Sequence, residues 1–146
     1  MEGMPIRFYC YRYQDYWEAE LPVGWIVIRE GNHLLFESQS PRGLVFTLST
    51  TSKTDWETSY QGTEENRQKV LAECRLLGEG TEKRKPTLIH ESLNEDFLIR
   101  FRFKSWRFKG PNFYIMIIQN TQVDRIDLGI DAIVDRFVNT LRVVKV

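Results

Sequence analysis

An alternation of apolar and basic residues at positions 97–104 constrains the fold more than any other part of this chain. Basic side chains occupy every second position, at Arg100, Arg102 and Lys104. Successive side chains of a β-strand point to opposite faces, so this period of two predicts a strand with an apolar face and a basic face. We expect the basic face to be solvated and the apolar row to lie on a core. The members of that apolar row are Phe97, Ile99, Phe101 and Phe103.

The composition is that of one globular domain spanning residues 1–146. Hydrophobic residues make up 42% of the chain and charged residues 27%, which excludes a disordered protein. Twenty Lys and Arg residues balance twenty Asp and Glu residues, so no overall field would attract nucleic acid or an acidic membrane. Cys10 and Cys74 are too few for a disulfide scaffold, and we interpret both as small buried residues. We therefore expect a soluble, cytoplasmic protein without a membrane span.

Further strands are predicted before and after a central helix. The predicted strands cover residues 6–13, 16–21, 25–29, 33–37, 43–50, 86–92, 96–106 and 112–119. The segment 25–29 also fits an extended connection. Residues 51–62 are polar and are predicted to form a loop.

Two helices are predicted from apolar residues that recur three and four positions apart. The first covers about residues 64–77, with Thr63 placed to cap its start and Gly78 placed to end it. The second covers about residues 128–141, with Asp124 and Asp127 at the end that the helix dipole favours. Together with the short hairpin turns, this order predicts an α+β domain, with helices packed on a mostly antiparallel sheet of about six or seven strands.

Four short segments occur in a recognisable order along the chain. They are the aromatic-rich strand around Tyr16 and Trp17 with the turn Pro22-x-Gly24-Trp25, the strand Leu34-Leu35-Phe36, the strand Gly43-Leu44-Val45-Phe46, and the closing helix around Phe137. This order resembles the PsbP-like superfamily. One departure is Arg136, which stands where the closing helix usually has a serine.

The resemblance implies an α/β/α sandwich fold and a function in binding other proteins. The superfamily includes extrinsic photosystem subunits, periplasmic DcrB-like lipoproteins, chaperones for type VI secretion effectors and a nuclear import factor that binds Ran. The matching positions are structural, so no functional residue can be transferred to this chain, and a shared fold alone does not establish a function.

The basic row is the first candidate for a binding surface. Arg100, Arg102, Lys104 and Arg107 could simply be solvated, as is usual for one face of an antiparallel strand. They could also attract an acidic protein partner. A third interpretation is single-stranded nucleic acid, with Trp106 or Tyr114 stacking on the bases. The balanced net charge argues against that interpretation, and we favour solvation.

Trp56 and Tyr60 are the second candidate. Both lie in the polar segment 51–62, where neither a helical nor a strand period accounts for them. Trp and Tyr are frequent among the residues that dominate protein interfaces. Trp56 could equally fold back to cover an edge of the sheet, and the sequence does not decide between these roles.

No catalytic, metal-binding or cofactor-binding motif is present in the sequence. His33 and His90 are isolated histidines without a second ligand at a recognised spacing. Cys74 lies on the apolar stripe of its predicted helix, where burial would raise its pKa and make the thiol unreactive. We therefore expect a protein that is not an enzyme and that needs no cofactor or metal.

These observations leave three hypotheses for the function. The first is a non-catalytic, adaptor-like or chaperone-like domain that binds another protein. The second is a pocket for a small apolar or amphipathic ligand between the sheet and the helices, because the aromatic residues could line a cavity as readily as fill a core. The third is weak binding of nucleic acid through the basic strand.

Overall fold

The computed structural model describes residues 5–39, 42–77 and 83–144. Ten strands, three α-helices and a short 3-10 helix at Val123–Arg125 alternate along these residues. The strands are β1 (Phe8–Tyr13), β2 (Trp17–Pro22), β3 (Ile26–Glu30), β4 (His33–Gln39), β5 (Arg42–Ser52), β6 (Arg75–Leu76), β7 (Leu88–Asn94), β8 (Ile99–Lys109), β9 (Phe113–Gln122) and β10 (Arg142–Val143). The α-helices are α1 (Lys53–Ser59), α2 (Glu64–Glu73) and α3 (Leu128–Thr140).

Seven of these strands form one large sheet. Its order is β3-β4-β5-β9-β8-β6, and β7 pairs with the same edge of β8 as β6. Only the contact between β6 and β8 is parallel. Strands β1, β2 and β10 form a separate antiparallel sheet. The predicted α+β class is confirmed, whereas the division of the strands into two sheets was not predicted.

One face of the large sheet, which we call the front face, is covered by the small sheet and α3. The ring of Phe137 in α3 lies 5.2 Å from that of Phe36, 4.9 Å from that of Phe46 and 5.8 Å from that of Trp17 in β2. The indole Nε1 of Trp17 donates a hydrogen bond to Oγ1 of Thr50 at 2.9 Å. A buried indole N–H usually needs such a partner, so Trp17 joins the small sheet to β5 at a defined position.

Helix α3 forms where the sequence predicts it. The side chain of Asp127 accepts hydrogen bonds from the backbone N–H groups of Gly129 and Ile130, which otherwise have no partner within the helix. Its buried residues recur at helical spacing and face the core: Ile133, Val134, Phe137 and Val138.

The polar segment 51–62 is not a loop, contrary to the prediction. Strand β5 continues to Ser52, and α1 follows directly. The helix begins there because the Ser52 side chain accepts a hydrogen bond from the backbone N–H of Asp55. Its first helical turn therefore depends on this cap, since α1 has no buried residue.

Helix α2 starts as predicted but ends early. The Thr63 side chain caps it by accepting a hydrogen bond from the backbone N–H of Asn66. The helix ends at Glu73 because the backbone is extended at Cys74 and then pairs with β8 as β6. Gly78, which was predicted to end the helix, lies outside the described residues.

Strand β8 has the opposite orientation from the one predicted. Trp106 and Phe108 are each 1% exposed in the front-face core. Because side chains alternate along a strand, these two large residues turn the even-numbered Arg102 towards the same face. The row that was predicted to be core lies on the other side of the strand or in the turn before it, and it is half-buried or exposed: Phe97, Ile99, Phe101 and Phe103.

The cysteines are also more accessible than predicted. Cys10 is exposed on β1, and its thiol donates a hydrogen bond to Oε2 of Glu18 at 3.2 Å. Cys74 is half-buried. Free cysteines are usually buried. The prediction that both would be buried is therefore wrong for Cys10 and only partly right for Cys74.

Candidate functional site

In the described part of the chain, helices cover the back face of the large sheet, opposite the front face, only at one end. There, α1 and α2 enclose a cleft of about 230 Å³ against β5, β8 and β9. The cleft is lined by Ser49, Thr51, Trp56, Tyr60, Val70, Leu71, Cys74, Arg107, Tyr114, Ile115 and Met116. Its volume is below the usual range for a pocket that holds a drug-sized ligand, about 300–1,000 Å³.

Two aromatic residues of α1 and its C-cap form one wall of this cleft. The rings of Trp56 and Tyr60 stack with their centroids 4.9 Å apart, and Trp56 lies 5.3 Å from the ring of Tyr114 in β9. The Tyr60 hydroxyl accepts a hydrogen bond from Nδ2 of Asn66 at 2.7 Å. Trp56 thus packs on the back face and leaves one side of its ring partly accessible.

Arg67 connects the two helices that form the cleft. It makes ion pairs with Glu57 of α1 at 3.3 Å and with Glu64 of α2 at 3.2 Å. Its guanidinium carbon lies 5.8 Å from the centre of the Trp56 ring. Exposed ion pairs of this kind contribute little individually, but together with the cation–π contact they hold α1 in register with α2.

The inner end of the cleft contains a guanidinium group and a thiol. Nη1 of Arg107 donates a hydrogen bond to Oε2 of Glu73 at 2.9 Å, so the Arg107 charge is largely compensated. Burial raises the pKa of the Cys74 thiol above its ordinary value, although the charges of Arg107 and Lys109 oppose the shift. The thiol is therefore protonated at neutral pH and is a poor nucleophile.

Beyond the cleft, a row of side chains crosses the back face from edge to edge, and all of its members except the buried Ser105 are partly exposed. We call it the open row, and its members pair in register across the strands: Ile28, Leu35, Thr47, Ile118, Ser105 and Leu88. Ile28 is 38% exposed and Leu88 is 48% exposed, while Leu35 and Ile118 are half-buried. Apolar side chains of the neighbouring row extend this surface at Ile26, Leu44 and Phe103.

Arg102, a predicted binding residue, is instead part of the front-face structure. Its guanidinium donates to both carboxylate oxygens of Asp131 in α3, at 2.7 and 2.8 Å, and Nε2 of Gln119 donates to the same carboxylate at 3.0 Å. Burial raises the pKa of Asp131, but the hydrogen bonds and charge of Arg102 outweigh it, and Lys104 adds to that effect, so the pKa lies below its ordinary value. This bidentate ion pair attaches α3 to β8.

The structure divides the predicted binding residues between the two faces. Trp56, Tyr60 and Arg107 meet at the cleft on the back face. Arg100, Arg102 and Lys104 lie on the other side of β8, in register with Leu93, Glu91 and Ile89 of β7. The odd position of Arg107 already indicated that it faces away from the other three.

This arrangement removes one of the two aromatic residues that were predicted as candidates for stacking on nucleic-acid bases. Trp106 is buried in the front-face core, and Arg102 is already paired with Asp131. Tyr114, the other aromatic residue predicted as a candidate for stacking, lies in the cleft, and Met116 beside it was missed by sequence reasoning. The even position of Met116 in β9, opposite the buried odd positions, was the signal that could have identified it.

Two kinds of site find no support in the described residues. Among residues 5–39, 42–77 and 83–144, no group of three or more His, Cys, Asp or Glu side chains could hold a metal ion. The helices in the same part of the chain are too short or too polar to cross a membrane.

Comparisons with models of known protein families and with curated proteins found no match for this chain. The PsbP-like resemblance therefore depends only on the sequence segments that carry it.

Proposed function

We propose that this chain is a non-catalytic, adaptor-like or chaperone-like domain that binds another protein through the back face of its large sheet. The observation that carries the proposal is the open row. It places apolar side chains from several strands on one partly exposed surface next to the cleft.

The two faces of the large sheet are covered by other layers of the fold to different extents. A sheet that is apolar on one face is stable when another layer covers that face. On the front face, α3 and the small sheet provide the layer. On the back face, α1 and α2 provide it only around Trp56 and Tyr114, and Ile28, at the far edge, is 38% exposed.

The partner element that fits best is an amphipathic helix. Helices α1 and α2 already form a helical layer on the back face, and a helix beside α1 would continue this layer across the open row. Its apolar face would contact Leu35 and Ile118, which are half-buried in the free domain. Apolar patches of this kind frequently mark protein-binding sites.

Photocrosslinking tests this proposal directly. Phe103, which is half-buried beside the open row, is replaced with p-benzoylphenylalanine, and the protein is irradiated in extract from its own cells. We expect one discrete adduct with another protein. The matched control carries the same photoreactive residue at Val23, which is 60% exposed in the turn before β3. Equal adducts from both positions, or none from Phe103, would contradict the proposal.

A second candidate function is supported by the cleft beneath α1. Its aromatic and aliphatic lining fits a small apolar or amphipathic molecule, and Arg107 at the inner end is already paired with Glu73. Fluorescence titration of Trp56 with short-chain fatty acids, in the wild type and in Met116→Trp, tests this function. Saturable quenching that Met116→Trp abolishes by filling the cleft would support it, and unchanged fluorescence in the wild type would exclude it.

The proposal also includes membership of the PsbP-like superfamily and a cytoplasmic location. The order of the sequence segments supports the first, and the free thiols of Cys10 and Cys74 suit the reducing cytoplasm. An experimental structure that superimposes poorly on members of that superfamily would refute the first. Fractionation of cells that express the full-length protein with a small tag would test the second.

A further inference from the structure

Strand β7 forms an unprotected edge of the large sheet. All seven of its residues are exposed, and no strand in the described part of the chain pairs with its outer side. Proteins usually protect such edges with proline, lysine or a very short strand. Within β7 there is no proline or lysine, and Glu91 is the only acidic or basic residue besides His90. The opposite edge, β3, is shorter and ends in the charged residues Arg29 and Glu30.

The hydrogen bonds of β8 show which backbone groups of β7 point outwards. Gly110 donates to the carbonyl of Phe113 at the turn to β9, whereas the Lys109 carbonyl accepts from Leu77 on the other edge. Odd-numbered residues of β8 therefore direct their backbone groups away from β9, towards β6 and β7.

Because β7 pairs Leu88 with Ser105 and His90 with Phe103, its even-numbered residues use their backbone groups to bind β8. The backbone N–H and C=O groups of the odd-numbered residues point away from the sheet. Only another β-strand can form hydrogen bonds with all of these groups at once. These residues are Ile89, Glu91 and Leu93.

The charges along this edge are arranged with opposite signs at its two ends. Lys83 and Lys85 precede β7, and Glu95 and Asp96 follow it in the turn to β8. The Lys85 carbonyl accepts a hydrogen bond from the side chain of Arg75 in β6 at 2.6 Å, so Lys85 lies near β6, before the start of β7. An antiparallel copy of this segment would place each basic end beside an acidic end.

We propose that two copies of this chain pair antiparallel through β7, so that the large sheet continues across a two-fold axis. The backbone N–H and C=O groups that point outwards belong to odd-numbered residues. They allow a register in which His90 lies on the two-fold axis and Ile89 of each copy pairs with Glu91 of the other. In that register the basic segment before β7, which contains Lys85, lies towards the turn of the other copy that contains Glu95, and no like charges of β7 face each other across the strands. A two-fold contact of this kind uses the same surface on both copies and closes the assembly at a dimer.

The pairing also removes from water the exposed apolar side chains along the edge. Ile89 is 57% exposed and Leu93 is 48% exposed, both on the front side of β7. The back faces of the two copies would form one continuous surface, because antiparallel strands related by a two-fold axis present the same face on the same side. The dimer is independent of the partner-binding proposal, which concerns side chains of the back face.

Sedimentation velocity of the full-length protein over a range of micromolar concentrations is the first test. We expect a monomer–dimer equilibrium for the wild type. Glu91→Pro removes one outward N–H group from each copy, so the dimer loses two hydrogen bonds and dimerisation should weaken about thirtyfold. Glu91→Ala keeps that N–H group and should remain dimeric, and circular dichroism should show that both variants are folded.

A charge exchange provides a test that does not alter the backbone. Lys85→Glu and Glu95→Lys, each alone, should weaken the dimer about threefold at low salt, because each places like charges beside one another. The double variant should restore wild-type dimerisation. A wild type that stays monomeric at all concentrations, or a dimer that neither Glu91→Pro nor the single charge variants weaken, would overturn the proposal.

Disulfide trapping tests the register. In a Cys10→Ser, Cys74→Ala background, His90→Cys should form an intermolecular disulfide in air, because residues on the axis lie within bonding distance in a pair without backbone hydrogen bonds. Ser92→Cys, two residues from the axis, should not. Equal cross-linking of the two variants would overturn this register.

Discussion

The front and back faces of the large sheet both carry apolar side chains in register, but they are covered to very different extents. On the front face, α3 and the small sheet bury Phe36, Phe46 and Ile117 almost completely. On the back face, α1 and α2 cover only one end, and Ile28 and Leu88 are more than a third exposed. The comparison shows that alternation along a strand separates two faces but does not determine how completely either is covered.

The two faces also differ in the means by which helices are attached. Helix α3 is held by buried aromatic contacts and by the ion pair between Arg102 and Asp131. Helices α1 and α2 have no buried residue and are held by ring stacking, caps and exposed ion pairs around Arg67. We therefore expect the front face to determine global stability and the back face to tolerate substitution.

The largest expected effect is at Trp17. Trp17→Ala should lower the free energy of unfolding by about 4 kcal/mol, because it creates a cavity between the two sheets and leaves the buried Thr50 hydroxyl without its partner. Urea denaturation followed by circular dichroism measures this change. A loss of less than about 1 kcal/mol would show that the small sheet is not part of the core.

A matched pair of neighbouring leucines compares the two faces within one strand. Leu34 is 1% exposed on the front face, and Leu35 is half-buried on the back face. We expect Leu34→Ala to lower the free energy of unfolding by about 3 kcal/mol and Leu35→Ala to lower it by about 1 kcal/mol. Equal losses in the same denaturation experiment would contradict the difference in cover.

The ion pair on the front face should make stability depend on pH. The pKa of Asp131 is lowered in the folded state, so its stabilising contribution is complete above the unfolded value, near pH 4, and is lost as the pH falls through the lower folded value. Asp131→Asn should lower the free energy of unfolding at neutral pH by about 2 kcal/mol, because Arg102 loses its charged partner.

The measurement for this prediction is thermal unfolding between acidic and neutral pH. The difference between the wild type and Asp131→Asn should be constant above about pH 5 and should decrease at lower pH. A difference that does not change with pH would mean that the Asp131 carboxylate does not stabilise the fold through its charge.

An effect as small as that of Leu35→Ala is expected at Trp56, on the covered end of the back face. Trp56→Ala removes ring contacts with Tyr60 and Tyr114 and should lower the free energy of unfolding by about 1 kcal/mol. Trp56→Phe, which keeps a ring at this position, should recover most of the loss. If Trp56→Ala destabilises the protein as much as Trp17→Ala, the two faces do not differ as described.

Much of the fold follows from local patterns in the sequence. The strand around Trp17 follows from the alternation of apolar and polar side chains, and the strand around Tyr114 follows from a continuous apolar run. The start of α2 follows from the cap Thr63, and the start of α3 follows from acidic residues that include Asp127. These features depend on interactions between residues close in the chain, which a single sequence displays directly.

The orientation of β8 could not be predicted in the same way. A row of cationic side chains is usually exposed to solvent. Here Asp131 in α3, 29 positions further along the chain, neutralises the charge of Arg102. Such a partner is visible only when the helix has been placed. The two large residues Trp106 and Phe108, at even positions of the same strand, were the available local indication of the inward face.

The candidate site was only partly predictable. Trp56 and Tyr60 were candidates because neither a helical nor a strand period of apolar residues accounts for them, and they form one wall of the cleft. The helix that carries them was missed, since α1 has no buried residues and depends on the Ser52 cap. The open row involves five pairings between strands, and a single sequence does not contain their register.

Carbene footprinting of the full-length protein tests the central claim most directly, that the back face is a binding surface and the front face is core. In the purified protein we expect labelling at Ile28, Leu35 and Phe103, and little labelling at Leu34 and Phe36. In extract from the protein's own cells, labelling of the first three residues should fall while that of Leu34 and Phe36 stays low. Equal labelling of the back face in both conditions, or no labelling of it in the purified protein, would contradict the account.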